Sequence, residues 1–185
     1  MKFVEPIREV KKIAAIKKVL ENKRDVLLLT LGMNTALRIS DMLKLTIKDV
    51  IDSGQIKNEV VVKEKKTGKS KSFPLNDSVK KAVKEYLSER DVKSENEPLF
   101  LSRKNGQAIR RGQAHNILSK AGEAIGLENI GCHSLRKTFG FKVYEKTNNL
   151  ALVQKLLNHS SSEVTLRYLG IEKKQLDEVY LDLNL

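Results

Sequence analysis

Apolar residues recur along most of this chain at helical spacing. Between Ile7 and Leu20 they fall at Val10, Ile13, Ile16 (or Ala14), Val19 and Leu20, with lysines on the outer face, which predicts an amphipathic helix. Asp25 to Met33 is almost wholly apolar through Val26-Leu27-Leu28-Leu29-Thr30-Leu31, predicting a helix buried on most sides that weakens at Gly32 and Asn34. Ser40 is a candidate N-cap for a short helix carrying Met42, Leu43 and Leu45. After Leu75-Asn76-Asp77, the positions Val79, Ala82, Val83, Tyr86 and Leu87 keep the i, i+3, i+4, i+7, i+8 pattern of one helix face. Further helices are expected from about Arg111 to Ile125, stopping at Gly126, and from Cys132 with Leu135, Phe139 and Val143 inward. Asn149 is expected to cap a helix carrying Leu150, Val153, Leu156 and Leu157.

The pattern changes between residues 47 and 73. Ile47 to Ile51, Glu59 to Lys63 and Lys69 to Phe73 read as three short strands, the last two joined by a turn at Lys66-Thr67-Gly68-Lys69. Near the end of the chain, Ser160 and Glu163 fit the S-x-x-E capping box of a new helix. That would place His159 at a helix N-terminus, where backbone N–H groups and the dipole favour an anion. Tyr168 follows on the same helix. The tail from Ile171 to Leu185 is amphipathic through Ile171, Leu176, Val179 and Leu183.

Composition narrows the partners. The 185 residues suffice for one domain with a real core. Thirty-five basic against 23 acidic side chains leave a net charge of +12, which makes nucleic acid the first partner to consider. A single cysteine excludes a disulfide framework or a cysteine-built metal site and fits a reducing, cytoplasmic setting. No apolar run approaches the ~18 residues of a membrane span, and the N-terminus has no apolar secretory segment.

Against that background a few polar residues stand out. His133 and Arg136, three apart on one helix face, can point at the same spot, and Arg suits bidentate grip on phosphate. Arg38 is held between two apolar stretches, with Asp41 three residues on. Lys63, Lys65, Lys66, Lys69 and Lys71 make a basic hairpin, Arg103 and Lys104 a basic turn, and Arg110 and Arg111 a basic helix start. Taken alone, each also fits a solvated surface. Tyr86, Tyr144 and Tyr180 fit core or interface packing, and Cys132 a small buried residue.

The order Arg, Lys, His-x-x-Arg, His, Tyr is what joins them. Thr35-Ala36-Leu37-Arg38-Ile39-Ser40-Asp41, Lys65-Lys66-Thr67-Gly68-Lys69, His133-Ser134-Leu135-Arg136 and Leu156-Leu157-Asn158-His159 through Tyr168 resemble, in sequence order, the motifs of the tyrosine recombinase (phage integrase) family. The resemblance spans roughly Arg8 to Leu185. It implies an α+β fold: a mainly helical catalytic domain with a small three-stranded antiparallel sheet. It implies site-specific cleavage and rejoining of double-stranded DNA through a 3′-phosphotyrosyl bond to Tyr168, without metal, ATP or other cofactor.

In the roles so implied, Arg38 and Arg136 clamp the phosphate and Lys66 protonates the leaving oxygen. His133 is acid/base, His159 donates to the phosphate, and Asp41 supports the site. Lys63, Lys65, Lys69, Lys71, Arg103, Lys104, Arg110 and Arg111 are the expected contacts to DNA. Another hairpin lysine could take the place given to Lys66. Asn158 stands where many members have Gly.

Residues 1–185 are expected to form a single catalytic domain lacking the family's separate N-terminal DNA-binding domain. Its tail, 171–185, either docks on a neighbouring protomer of a tetramer on DNA or folds back. A full-length integrase or an accessory protein is a further expected partner; a membrane is not. Two other functions compete: a catalytically silent DNA-binding module that regulates an active partner, and a type IB topoisomerase-like nicking and closing activity.

Overall fold

The helix at the centre of the molecule, α2 (Lys23–Thr35), is the almost wholly apolar stretch, and Leu27, Leu28, Leu29 and Leu31 on it are fully buried. Burial on all sides requires neighbours on all sides. In this computed structural model they are α5 (Asp77–Ser88) and α7 (Cys132–Thr147), with α6 (Arg111–Glu123) also in contact. Gly32 lets α7 approach: a Cβ there would lie 2.5 Å from Leu135 Cδ1. The structure describes residues 4–63, 68, 70–104, 106–170 and 181–182.

The other elements are α1 (Val10–Val19), α3 (Ile39–Met42), α4 (Ile47–Val50), β1 (Ile51–Asp52), β2 (Gln55–Ile56), β3 (Glu59–Lys63), β4 (Ser70–Pro74), α8 (Leu150–Leu157) and α9 (Ser162–Leu169). The α+β class is as expected, and the apolar periodicity located α1, α2 and α5 to α8 to within a few residues. Asn22, Asn76 and Asn149 cap α2, α5 and α8 through their side chains.

The sheet differs from expectation. Among the described residues there are two two-stranded antiparallel hairpins, β1–β2 and β3–β4, rather than one three-stranded sheet. Of the strand expected over Ile47 to Ile51, the part from Ile47 to Val50 is helix. Asp49 Oδ2 accepts both the Thr46 N–H and the Thr46 hydroxyl at 2.8 Å, and that local cap outweighs a weak β preference. Only Ile51 and Asp52 remain extended, pairing with Ile56 and Gln55 across Ser53-Gly54, both at positive φ as a two-residue hairpin demands. In the second hairpin Glu59 to Lys63 pairs with Ser70 to Pro74, Val60 opposite Phe73 on the buried face. Its tip, including Lys65, Lys66 and Lys69, lies outside the described residues, as do 171–180 and 183–185 of the tail, Tyr180 among them.

Among the described residues, the buried apolar side chains form two clusters. The larger joins α1 to α7 and includes Phe100, Leu118 and Leu135. The smaller consists of Ala36, Val153, Leu157 and Leu169, flanked by Phe139, Phe141, Tyr144 and Tyr168 beneath α8 and α9. Gly140 of α7 faces this second cluster, where a Cβ would come within 3.0 Å of Leu157 Cδ1.

Candidate active site

The site lies where α2, α7, α8 and α9 end or begin beside the smaller cluster. Helix α2 terminates at Ala36, a non-glycine residue in the left-handed region (φ 54°), with its side chain buried. Such a conformation costs about 1–2 kcal/mol for an L-residue. It reverses the chain so that Arg38, extended at φ −71° and ψ 143°, stands immediately before α3. The N-cap of that helix is therefore Arg38; Ser40, the expected cap, is an exposed residue inside the helix. Asp41 on α3 is buried, 1% exposed.

Arg136 is the tie between the parts. It is buried on α7, 5% exposed, and donates Nη1–H to the Ala36 carbonyl at 2.9 Å and Nη2–H to the Leu157 carbonyl. One guanidinium thus holds the end of α2 against the end of α8. Lys71, expected as a DNA contact, is half-buried, and its ammonium donates to the Leu156 carbonyl at 2.8 Å, steadying the same corner.

Helix α8 ends in a Schellman turn. Asn158 is left-handed (φ 49°), its N–H donates to the Lys155 carbonyl at 3.1 Å, and the His159 N–H donates to the Gln154 carbonyl at 3.1 Å. Asn is the residue after Gly that best tolerates this conformation, so the turn survives the departure noted in the sequence. The next helix starts later than expected. Its cap is Ser161, accepting from the Val164 N–H at 3.3 Å, and not Ser160 in a box with Glu163. His159 consequently belongs to the turn between two helices, two residues before that cap. Tyr168 lies near the far end of α9, and its ring meets His159 edge to face, centroids 4.8 Å apart at 74°.

The electrostatics follow from partial burial beside cations. His159 is pushed down to about 4 by burial, with Arg136 and Arg38 acting in the same direction, so its imidazole is neutral near neutral pH. Burial raises the Tyr168 phenol, while Arg136 and Arg38 oppose that rise. The Tyr168 hydroxyl is buried and makes no hydrogen bond of ordinary geometry, with the Arg136 guanidinium the group that reaches toward it. His133, on the exposed start of α7, is held below its ordinary value by desolvation and by Arg111, Arg136 and Lys137. Cys132 beside it is buried, and its thiol is raised by that burial.

Arg38, Arg136, His159 and Tyr168 are thus brought together, with His133 and Arg111 at the margin. Lys66 falls outside the described residues, and Lys63 is exposed at the end of β3. Arg110 and Arg111 are exposed at the start of α6. Arg103 is exposed beside Asn22 and Arg24, at the opposite end of α2 from Ala36, with Lys104 next to it. A helix of 13 residues separates those ends by about 20 Å.

Two residues were missed in the sequence. Lys137, 7% exposed, lies 5.4 Å from the centre of the Tyr168 ring, and its ammonium is disfavoured by burial and favoured by Glu5. Thr165, fully buried, contacts the His159 ring. The place of Thr165 three residues before Tyr168, on the same helix face, was the available signal.

Two guanidiniums, an imidazole and a buried phenol meet at one point, a grouping of cationic and hydroxyl-bearing side chains suited to an anionic ligand. Comparison with known proteins makes this specific. The model of the phage integrase family matches residues 7–175. A probable integrase/recombinase, YoeC, of Bacillus subtilis is 44% identical over 182 residues, covering 97% of both chains. The tyrosine recombinase XerC of Thermodesulfovibrio yellowstonii is 31% identical over 166 residues, covering 85% of this chain and 54% of that protein. Among solved structures, the XerH site-specific recombinase bound to palindromic difH substrate in a post-cleavage complex matches with a TM-score of 0.73 at 26% identity, over 97% of this chain and 53% of that one. The chain belongs to the phage integrase family, whose tyrosine recombinases are DNA strand-transferring enzymes. It spans nearly the whole of the Bacillus relative and about half the length of XerC and XerH.

Proposed function

We propose that this chain is a site-specific DNA recombinase that cleaves and rejoins duplex DNA through a 3′-phosphotyrosyl intermediate on Tyr168. The observation that carries the reading is the buried Tyr168 hydroxyl beside Arg136, Arg38 and His159. An O–H shielded from water without a hydrogen bond of good geometry is poorly satisfied at rest and gains by meeting a phosphate.

In the cleavage step the Tyr168 oxygen attacks the scissile phosphorus and the 5′ oxygen leaves. Arg38 and Arg136 hold the nonbridging oxygens and stabilise the charge that builds on them. A guanidinium carries five N–H donors, more than the Ala36 and Leu157 carbonyls consume, so Arg136 can grip phosphate while still tying α2 to α8. Lys66 protonates the leaving oxygen, His133 acts as acid/base at the margin, His159 donates to the phosphate, and Asp41 supports Arg38. The bond energy is kept in the phosphotyrosyl ester, so rejoining needs no ATP.

The net charge of +12 supports salt-sensitive attraction to the backbone. Lys63, Lys65, Lys69, Arg103, Lys104, Arg110 and Arg111 are the proposed contacts, while the ammonium of Lys71 is held by the Leu156 carbonyl. Assembly as an oligomer on cytoplasmic DNA through the apolar positions of the tail belongs to the same reading.

A nicked suicide duplex carrying the chain's attachment site tests it. A denaturation-resistant protein–DNA adduct is expected, abolished in Tyr168→Phe with duplex affinity retained. Salt-dependent binding without an adduct would mark a silent DNA-binding module. Supercoil relaxation with no site preference would mark a topoisomerase-like activity.

A further inference from the structure

Thr165 is fully buried on α9, and its hydroxyl makes two contacts. It donates to the Ser161 carbonyl at 3.1 Å and meets Nδ1 of His159 at 3.2 Å. A carbonyl oxygen only accepts, so the single hydroxyl proton of Thr165 is committed to Ser161. For both contacts to be hydrogen bonds, Nδ1 must carry the proton on the imidazole side and donate it to the threonine oxygen. A neutral imidazole has one N–H, which leaves Nε2, on the far edge, with a bare lone pair. His159 is neutral here: burial, Arg136 from α7 and Arg38 ahead of α3 all disfavour its charged form, and the Tyr168 phenol from α9 touches its ring.

We propose that Thr165 is a positioning residue that fixes His159 as the Nδ1–H tautomer and presents Nε2 as a proton acceptor beside Tyr168. The use made of Nε2 rests on the active-site reading above; the tautomer does not. In cleavage the phenol of Tyr168 gives its proton to Nε2, and its oxygen forms the bond to phosphorus. The bond from phosphorus to the 5′ oxygen breaks with its electron pair on that oxygen, which takes up a proton from a general acid and leaves as the 5′ hydroxyl. The resulting imidazolium bears N–H on both nitrogens, so only after taking this proton does His159 become a donor to the phosphate through Nε2. Thr165 acts throughout on His159 and touches no DNA.

The test uses the full chain labelled with ¹⁵N, observed by long-range proton–nitrogen NMR near neutral pH. The chain has three histidines, and the signals lost in His159→Gln identify the ring in question. Wild type and Thr165→Ser are expected to show a protonated Nδ1 and a bare Nε2. Thr165→Val is expected to move toward the Nε2–H form that free imidazole prefers. A wild-type ring already protonated at Nε2, or a valine variant with the wild-type pattern, overturns the proposal. On the suicide duplex, Thr165→Val should form adduct about 10- to 100-fold more slowly with unchanged DNA affinity, and Thr165→Ser should restore the rate. A changed tautomer with an unchanged rate overturns the role given to Nε2. No adduct from wild type, alongside a tautomer that follows Thr165, refutes the recombinase reading and supports the tautomer assignment.

Discussion

The two apolar clusters divide the site between them, and they differ in depth. The larger runs beneath α1 to α7 and holds the elements that carry the cationic half: Ile39 and Met42 of α3, next to Arg38, and Cys132 and Leu135 of α7, on either side of His133. The smaller rests on Ala36, Val153, Leu157 and Leu169 and holds the turn and helix that carry His159 and Tyr168. The proposed nucleophile therefore sits on the lightly packed part and the proposed phosphate grip on the deeply packed part. Arg136 spans the boundary through Ala36 and Leu157. Segments with few buried contacts open at a lower free-energy cost than the global transition. Helices α8 and α9 are thus suited to carry Tyr168 into and out of register while the guanidiniums stay in place.

The sharpest way to break this comparison is to hollow out each cluster in turn. Leu28→Ala in the larger cluster should cost about 2–5 kcal/mol of global stability, read by chemical denaturation. Leu157→Ala should act mainly as faster amide exchange confined to α8 and α9, with α2 protection unchanged. Equal loss of protection in both regions would show the two clusters to be one cooperative unit.

Next in size is Arg136→Lys, which keeps the charge and loses the two-carbonyl span. Adduct formation in a single turnover should fall about 10²- to 10³-fold, as for loss of one transition-state donor, and exchange in α8 and α9 should rise. A variant that lost rate with exchange unaltered would leave Arg136 a role in gripping phosphate but none in joining the halves.

The mildest probe is pH, because it touches chiefly the smaller region. His159 is lowered in the folded chain to about 4 from an ordinary 6.5, so between those values the unfolded chain binds a proton that the fold refuses. Stability should then rise with pH across that window and be lost as pH falls through it. His133, also lowered, adds in the same direction. In His159→Gln a thermal-melting series should show a flatter slope between pH 4 and 6.5; an unchanged slope would remove His159 as its source.

Much of this was legible in the chain, for local reasons. A helix records its buried face at every third or fourth residue, so α2 and α5 could be read directly. The Arg, Lys, His-x-x-Arg, His, Tyr order needed no coordinates either. Legibility failed where two local signals competed. Ile47 to Val50 carried branched residues and a Thr46–Asp49 cap, and the cap won. Ser160 fitted a capping box with Glu163, yet in the fold the cap is its neighbour Ser161, which accepts from the Val164 N–H.

By itself, then, the sequence determined the helices and their approximate ends, because periodicity and capping act within a few residues, and it supplied the order of the candidate reactive side chains through the family resemblance. Only the tertiary structure decided that Arg136 meets a carbonyl 100 positions away at Ala36 and another 21 positions away at Leu157. The same holds for the tautomer that Thr165 imposes on His159, which exists only once α9 turns back upon the loop before it. Such distances are set by how helices pack, which no local pattern encodes.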